Sequence, residues 1–168
     1  HFIGYPYVWG GMSENQQVTF GVTSRGGFDC SGFVWRVYKL QAYPNGGSLS
    51  SVIQGRTTYQ MSGEVPKAKR IAFAKLQPAD VVFFGPNGSS SKPASVGHTG
   101  IYLGNGWMIH SSGQGVAVTP MTGWYRTQFA WGRRPPLKRS WAVPYLVSRR
   151  RFSSPSAAAP NPPRYSFT

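Results

Sequence analysis

Carboxylates are scarce in this chain. Among 168 residues only Glu14, Asp29, Glu64 and Asp80 are acidic, against 18 lysines and arginines, for a net charge of +14. Such a balance favours an anionic partner: nucleic acid, an acidic membrane face or an acidic wall polymer. The excess is uneven. Residues 133–168 hold eight basic residues and no acidic one, while residues 1–132 hold ten basic and four acidic ones, so the net charges are +8 and +6. Cysteine is scarcer still. Cys30 stands alone, which excludes an internal disulfide and leaves pairing silent on redox compartment. Long apolar runs are missing too. None nears the roughly 18 residues a spanning helix needs, so no transmembrane segment is expected. The chain begins at His1 without Met and shows no basic-then-apolar leader, which leads us to expect a mature form or an excised piece. With 40% apolar residues, the composition suits a packed domain rather than a disordered chain.

What is present falls into two halves and a tail. Residues 1–29 are rich in Gly and aromatics and read as a loop-dominated entry segment. From Cys30 to Tyr43 the apolar residues Phe33, Val34, Val37, Tyr38 and Ala42 keep the three-four spacing of a buried helical stripe. Asp29 or Ser31 can cap this helix, and Pro44 to Gly47 end it. A second helix is predicted over 49–61, against the cost of Gly55. After Pro78 the period changes. Strands are predicted at Val81–Phe84, His98–Leu103, Trp107–His110, Val116–Thr119 and Phe129–Arg133. Residues 86–97 form a loop, and Asn105-Gly106 is a hairpin turn. Helices first and antiparallel strands second define an α+β class. Past Arg134 the chain turns to Pro, Ser and Ala with a run at Arg149–Arg151. The domain is therefore expected over 1–135, with 136–168 a basic tail.

Three polar positions carry chemistry: Cys30 at a helix start, His98 opening a strand, and His110 on the hairpin partner. A thiol attacks carbonyls as its thiolate. A helix N-terminus and a nearby imidazolium are expected to lower its pKa. Helix-end amides also offer donors to a developing oxyanion. The strands joined by Asn105-Gly106 lie side by side, so one imidazole can orient the other, as the third member of a triad does. Taken alone, each histidine reads better as a satisfied core residue than as a catalytic one.

The segments YPYVWGG at 5–11, FDCSGFV at 28–34, LQPADVVFF at 76–84, GHTGIYLGNG at 97–106, MIHSSG at 108–113 and FAWGRRP at 129–135 resemble, in order, those of the NlpC and p-sixty family of peptidoglycan cysteine peptidases. The resemblance spans nearly all of residues 1–135. It implies a papain-like fold in which the helix bearing the nucleophile packs on a small antiparallel sheet. It implies Cys30 as nucleophile, His98 as general base and His110 as the residue orienting His98. It places Tyr7 near the oxyanion or substrate, with Asp29 and Ser31 lining the substrate site. The substrate implied is a peptidoglycan stem peptide, cut at the bond between D-γ-glutamyl and a diamino acid, by a secreted or envelope enzyme needing no cofactor. One departure is Pro78-Ala79-Asp80, where the family carries Pro-Gly-Asp.

Other readings remain beside this one. Cys30 with two histidines is also zinc chemistry, but no CxxC or HExxH spacing is present, so no metal is expected. The basic tail suits anionic wall polymers by charge, and nothing in the folded part resembles a motif for specific nucleic-acid binding. A silent wall-binding module, or a cysteine amidase or acyltransferase, would carry the same three residues.

Overall fold

The computed structural model describes residues 1–40 and 52–135. The entry segment folds into two small antiparallel ladders. One pairs β1 (Met12–Ser13) with β4 (Gly27–Phe28); the other pairs β2 (Gln17–Thr19) with β3 (Val22–Ser24). Helix α1 (Cys30–Trp35) follows at once and runs into a turn of π-helix, Arg36–Leu40. The sequence places this helix's end at Tyr43, with a stop at Pro44 to Gly47. Those last residues lie outside the described ones.

The second helix is shorter than predicted. Its expected start at 49 lies outside the described residues, but residues 52–57 are not helical, and α2 covers Thr58–Gly63. The reason is a capping box that moves the start. The Thr57 side chain accepts from the Gln60 amide at 3.3 Å, and the Gln60 side chain accepts from the Thr57 amide at 3.1 Å. The box satisfies the Gln60 and Thr57 amides reciprocally, and the helix begins just after Thr57.

The second half is a five-stranded antiparallel sheet in the order β8-β7-β6-β5-β9. Its strands are β5 (Val81–Phe84), β6 (His98–Gly104), β7 (Trp107–Ser112), β8 (Gly115–Pro120) and β9 (Phe129–Arg133). All five were legible, each within two residues of its predicted ends. A short helix, α3 (Gly123–Thr127), joins the last two. The 86–97 loop contains two 3-10 turns, Gly88–Ser90 and Pro93–Ser95. At the β6–β7 hairpin, Asn105 and Gly106 take φ of +51° and +78°, the left-handed pair that a tight hairpin requires.

Alternation splits the sheet's side chains between two cores. Val81, Phe83 and Ile101 pack with Phe28, Phe33, Val34 and Trp131 on the side covered by α1. Val82, Phe84, Tyr102 and Met108 pack on the other side with Met121 and Phe129, under Phe73, Leu76 and Tyr125. Each large side chain fully buried contributes about 1.5–3 kcal/mol, so α1 is fixed to the sheet by its own apolar stripe.

The few carboxylates are all used inside the fold. Glu14 pairs with Arg36, Asp29 with Arg56, Glu64 with Arg133 and Asp80 with Arg134. Asp80, only 1% exposed, also accepts from the Gln77 amide at 2.8 Å, closing the turn before β5. The residue preceding it, Ala79, has φ of +71°.

Candidate active site

Cys30 is held in place by the residues on either side of it. The Asp29 carboxylate caps α1, accepting from the Gly32 amide, and accepts from the Ser31 hydroxyl at 2.9 Å. The Asp29 amide donates to Gly11 O at 3.0 Å. The helix start is thereby fastened to the entry loop, and Cys30 occupies the first turn. Gly32 permits this closeness, since a Cβ there would run into the Gly11 carbonyl oxygen. The Tyr7–Phe28 bridge brings Tyr7 alongside.

Arg56 completes the arrangement, and the sequence reading missed it. Its guanidinium donates to Ser31 Oγ at 2.8 Å, to Asp29 Oδ1 at 3.2 Å and Oδ2 at 3.3 Å, and to the carbonyl oxygens of Gly10 at 2.9 Å and Gly11 at 3.2 Å. One signal was available. With four acidic residues in the chain, a buried Asp29 had to find a cation, and Arg56 is the only basic residue between Lys39 and Lys67.

A cleft of about 420 Å³ opens over these groups. Tyr7, Asp29, Cys30, Ser31, Arg56 and His98 line it, with Trp9, Phe20 and Tyr59 at its wall. Five of the six residues singled out from sequence therefore face one cavity. The sixth, His110, stands behind His98. His98 Nε2 lies 2.7 Å from His110 Nδ1, and His110 Nε2 lies 3.0 Å from Thr119 Oγ1 on β8. The two imidazoles meet edge to face, with ring centroids 4.9 Å apart. Gly100 makes room for them, because a Cβ there would lie 3.0 Å from His110 Cβ. Phe84 and Tyr125 pack on His98 with ring centroids 5.7 and 6.0 Å away. Tyr125 covers His110 as well, at 5.2 Å.

This packing sets the protonation states. Burial pushes the Cys30 thiol up to about 11, and the Asp29 charge adds to it. Amides of Thr99, Ser31 and Cys30 itself pull the other way without prevailing. Burial brings His98 down to about 3, helped by His110, and brings His110 down to about 4. Tyr7 is raised by burial and by its neighbours Cys30 and Asp29, so it keeps its proton and stays a donor. Burial works against the acidification expected of a thiol at a helix start: in the free site desolvation favours the neutral forms of Cys30, His98 and His110. Among the described residues no group of three or more His, Cys, Asp or Glu side chains could hold a metal ion.

The sequence model of the NlpC/P60 family matches residues 4–134. The chain is 34% identical to the murein DD-endopeptidase MepH of Escherichia coli over 122 residues, covering 71% of this chain and 36% of that protein. It is 28% identical to the γ-D-glutamyl-L-lysine dipeptidyl-peptidase of Bacillus subtilis, also over 122 residues, covering 72% of this chain and 32% of that one. Among solved structures, an NlpC/P60 protein from Bacillus cereus superposes with a TM-score of 0.57 at 28% identity, covering 80% of this chain and 36% of the other. The chain thus spans about a third of the length of these relatives. Its α+β architecture is the papain-like one expected, with helix α1 on an antiparallel sheet.

Proposed function

Since the chain belongs to the NlpC/P60 family, we propose that it is a cysteine peptidase that hydrolyses an amide bond in the stem peptide of peptidoglycan. The observation that carries this reading is the placement of Cys30 and His98 in one cleft, with His98 backed by His110 at 2.7 Å.

The chemistry follows from the neutral resting pair. Because Nε2 of His98 is taken by His110, Nδ1 is left to serve as the base. As Cys30 Sγ attacks the scissile carbonyl carbon, its proton passes to His98 Nδ1, so no free thiolate is needed beforehand. The oxyanion forms at the first turn of α1, where the Cys30 amide and the Tyr7 hydroxyl are the candidate donors. His98 then gives the proton to the departing amine nitrogen as the C–N bond breaks and a thioester remains. Water attacks the thioester, losing a proton to His98, and Cys30 leaves as the thiol once that proton returns to sulfur. His110 keeps the His98 ring in position throughout. Asp29 and Ser31 hold the backbone around the nucleophile and form one wall of the substrate cleft. No cofactor enters the scheme.

The bond proposed is the one between D-γ-glutamyl and a diamino acid, as in the name of the Bacillus relative. The substrate locates the activity outside the membrane, secreted or wall-facing. The basic tail supplies attraction to anionic wall polymers. The test is mass spectrometry of muropeptides after incubation of purified sacculi with the chain and with Cys30→Ala. Release of fragments cut within the stem by the parent and not by Cys30→Ala is expected. Binding to sacculi without release would replace the reading with that of a wall-binding module. Fragments cut between glycan and stem would make the chain an amidase.

A further inference from the structure

The hydrogen-bond chain behind Cys30 does not end at His110. His110 is 1% exposed, and among the described residues its Nε2 meets one partner, Thr119 Oγ1 at 3.0 Å. Thr119 lies on β8 opposite Met108, one pleat along from Ala117, which faces His110. Alternation therefore puts its hydroxyl on the same face of the sheet as the two imidazoles.

We propose that Thr119 is a positioning residue that accepts the His110 Nε2 proton when His98 is charged, and so holds the His98–His110 hydrogen bond in the direction in which His98 donates. The proposal rests on the reading of Cys30 and His98 as nucleophile and base.

A neutral imidazole has one N–H and one lone pair. Two neutral rings joined Nε2 to Nδ1 can order their protons in only two ways. In one, His98 Nε2–H donates to His110 Nδ1, His110 Nε2–H donates to Thr119 Oγ1, and His98 Nδ1 is free to accept the thiol proton. In the other, every bond is reversed and His98 Nδ1 already holds a proton, so it cannot act as base. A hydroxyl serves both orders in the resting site. The choice vanishes once His98 takes up the thiol proton. His98 is then a donor at both nitrogens, His110 must accept at Nδ1, and its single proton must sit on Nε2. That N–H is buried, and Thr119 Oγ1 is the acceptor it has. Thr119 is thus engaged as an acceptor when His98 is charged, which is the state formed during the chemical steps. Its contribution should appear in kcat rather than in substrate binding.

The variant is Thr119→Val, which replaces the hydroxyl by a methyl of similar size on a strand that favours β-branched residues. Thr119→Ser restores the hydroxyl. Both are compared with the parent and with His98→Ala on a soluble stem peptide, with thermal unfolding as the check on folding. Nitrogen NMR reads the protonation of each imidazole nitrogen. We expect Thr119→Val to lose about tenfold in kcat, the rate equivalent of one net hydrogen bond. KM should stay within about twofold. Thr119→Ser should recover most of the loss, and the Nε2 proton signal of His110 should shift or disappear in Thr119→Val. A folded Thr119→Val with parental kcat and an unchanged His110 signal, alongside an inactive His98→Ala, overturns the role of Thr119 and leaves the base assigned to His98. An active His98→Ala overturns the triad itself, and this inference with it. If Thr119→Val unfolds early, a Thr119→Ser variant showing no recovery of kcat at parental stability also overturns the proposal.

Discussion

Arg56 Nη1 donates to Ser31 Oγ at 2.8 Å across 25 residues of sequence. The same guanidinium grips the Asp29 carboxylate and the carbonyl oxygens of Gly10 and Gly11. One side chain therefore ties the entry loop, the residues flanking Cys30 and the approach to α2. A lysine cannot reproduce this, since it offers a single ammonium in place of a planar fork. Arg56→Lys should lower the urea midpoint by the equivalent of about 2 kcal/mol and reduce turnover as the Cys30 loop loosens. Equal midpoints for parent and variant would show that the fork is not needed for the fold.

Ala79 offers a change in the opposite direction. With φ of +71° it pays the Cβ strain of the left-handed region, which glycine avoids. Its own contacts are backbone ones: its amide donates to Tyr102 O at 2.8 Å, and its carbonyl accepts from the Tyr38 hydroxyl at 2.7 Å. Neither needs the methyl group. Ala79→Gly should therefore raise stability by about 1 kcal/mol and leave catalysis unchanged. A lower melting temperature in Ala79→Gly would count against this account of the turn.

The titration of the site predicts a stability plateau. His98 stays neutral down to about 3 and His110 to about 4, against an ordinary value of 6.5. Below about pH 6.5 the unfolded chain binds protons that the folded chain refuses, so stability falls as pH drops towards those values. Cys30 governs the other side. Its thiol keeps its proton to about 11, against 9.0 when exposed, so the unfolded chain loses that proton first and stability falls above about pH 9. Tyr7 and Tyr125, both raised by burial, add to the alkaline side. The melting temperature should be highest between about pH 6.5 and 9. His110→Asn should flatten the acid limb and Cys30→Ala the alkaline one. A melting temperature that climbs on acidification below that window would refute the neutral, buried histidines.

Residues 136–168 lie outside the described ones, but their charge makes a prediction. A chain truncated after Pro136 should cleave a soluble stem peptide as fast as the full chain. On intact sacculi it should fall behind at low salt, and the gap should close as salt screens the attraction. Loss of peptide activity on truncation would show that the domain extends past residue 135.

By itself the sequence determined the α+β class, the five strands, the position of Cys30 at a helix start and the hairpin bringing His98 near His110. These are properties of local order. Alternation, turn chemistry and a helical stripe are written in neighbouring residues and survive in isolation from the rest of the chain. The start of α2 is local too, since the Thr57–Gln60 capping box that sets it lies within four successive residues. Tertiary structure alone decided the remainder. Arg56 and Thr119 reach the site across 25 and nine residues; loop packing brings Arg56 to Asp29, and the β7–β8 register, which alternation alone does not fix, brings Thr119 to His110. The protonation states were decided there too. A helix terminus read in sequence suggests an acidic thiol, but the balance turns on how much water the folded chain removes from Cys30, His98 and His110. Desolvation is a property of everything packed around a group, and only the closed fold supplies it.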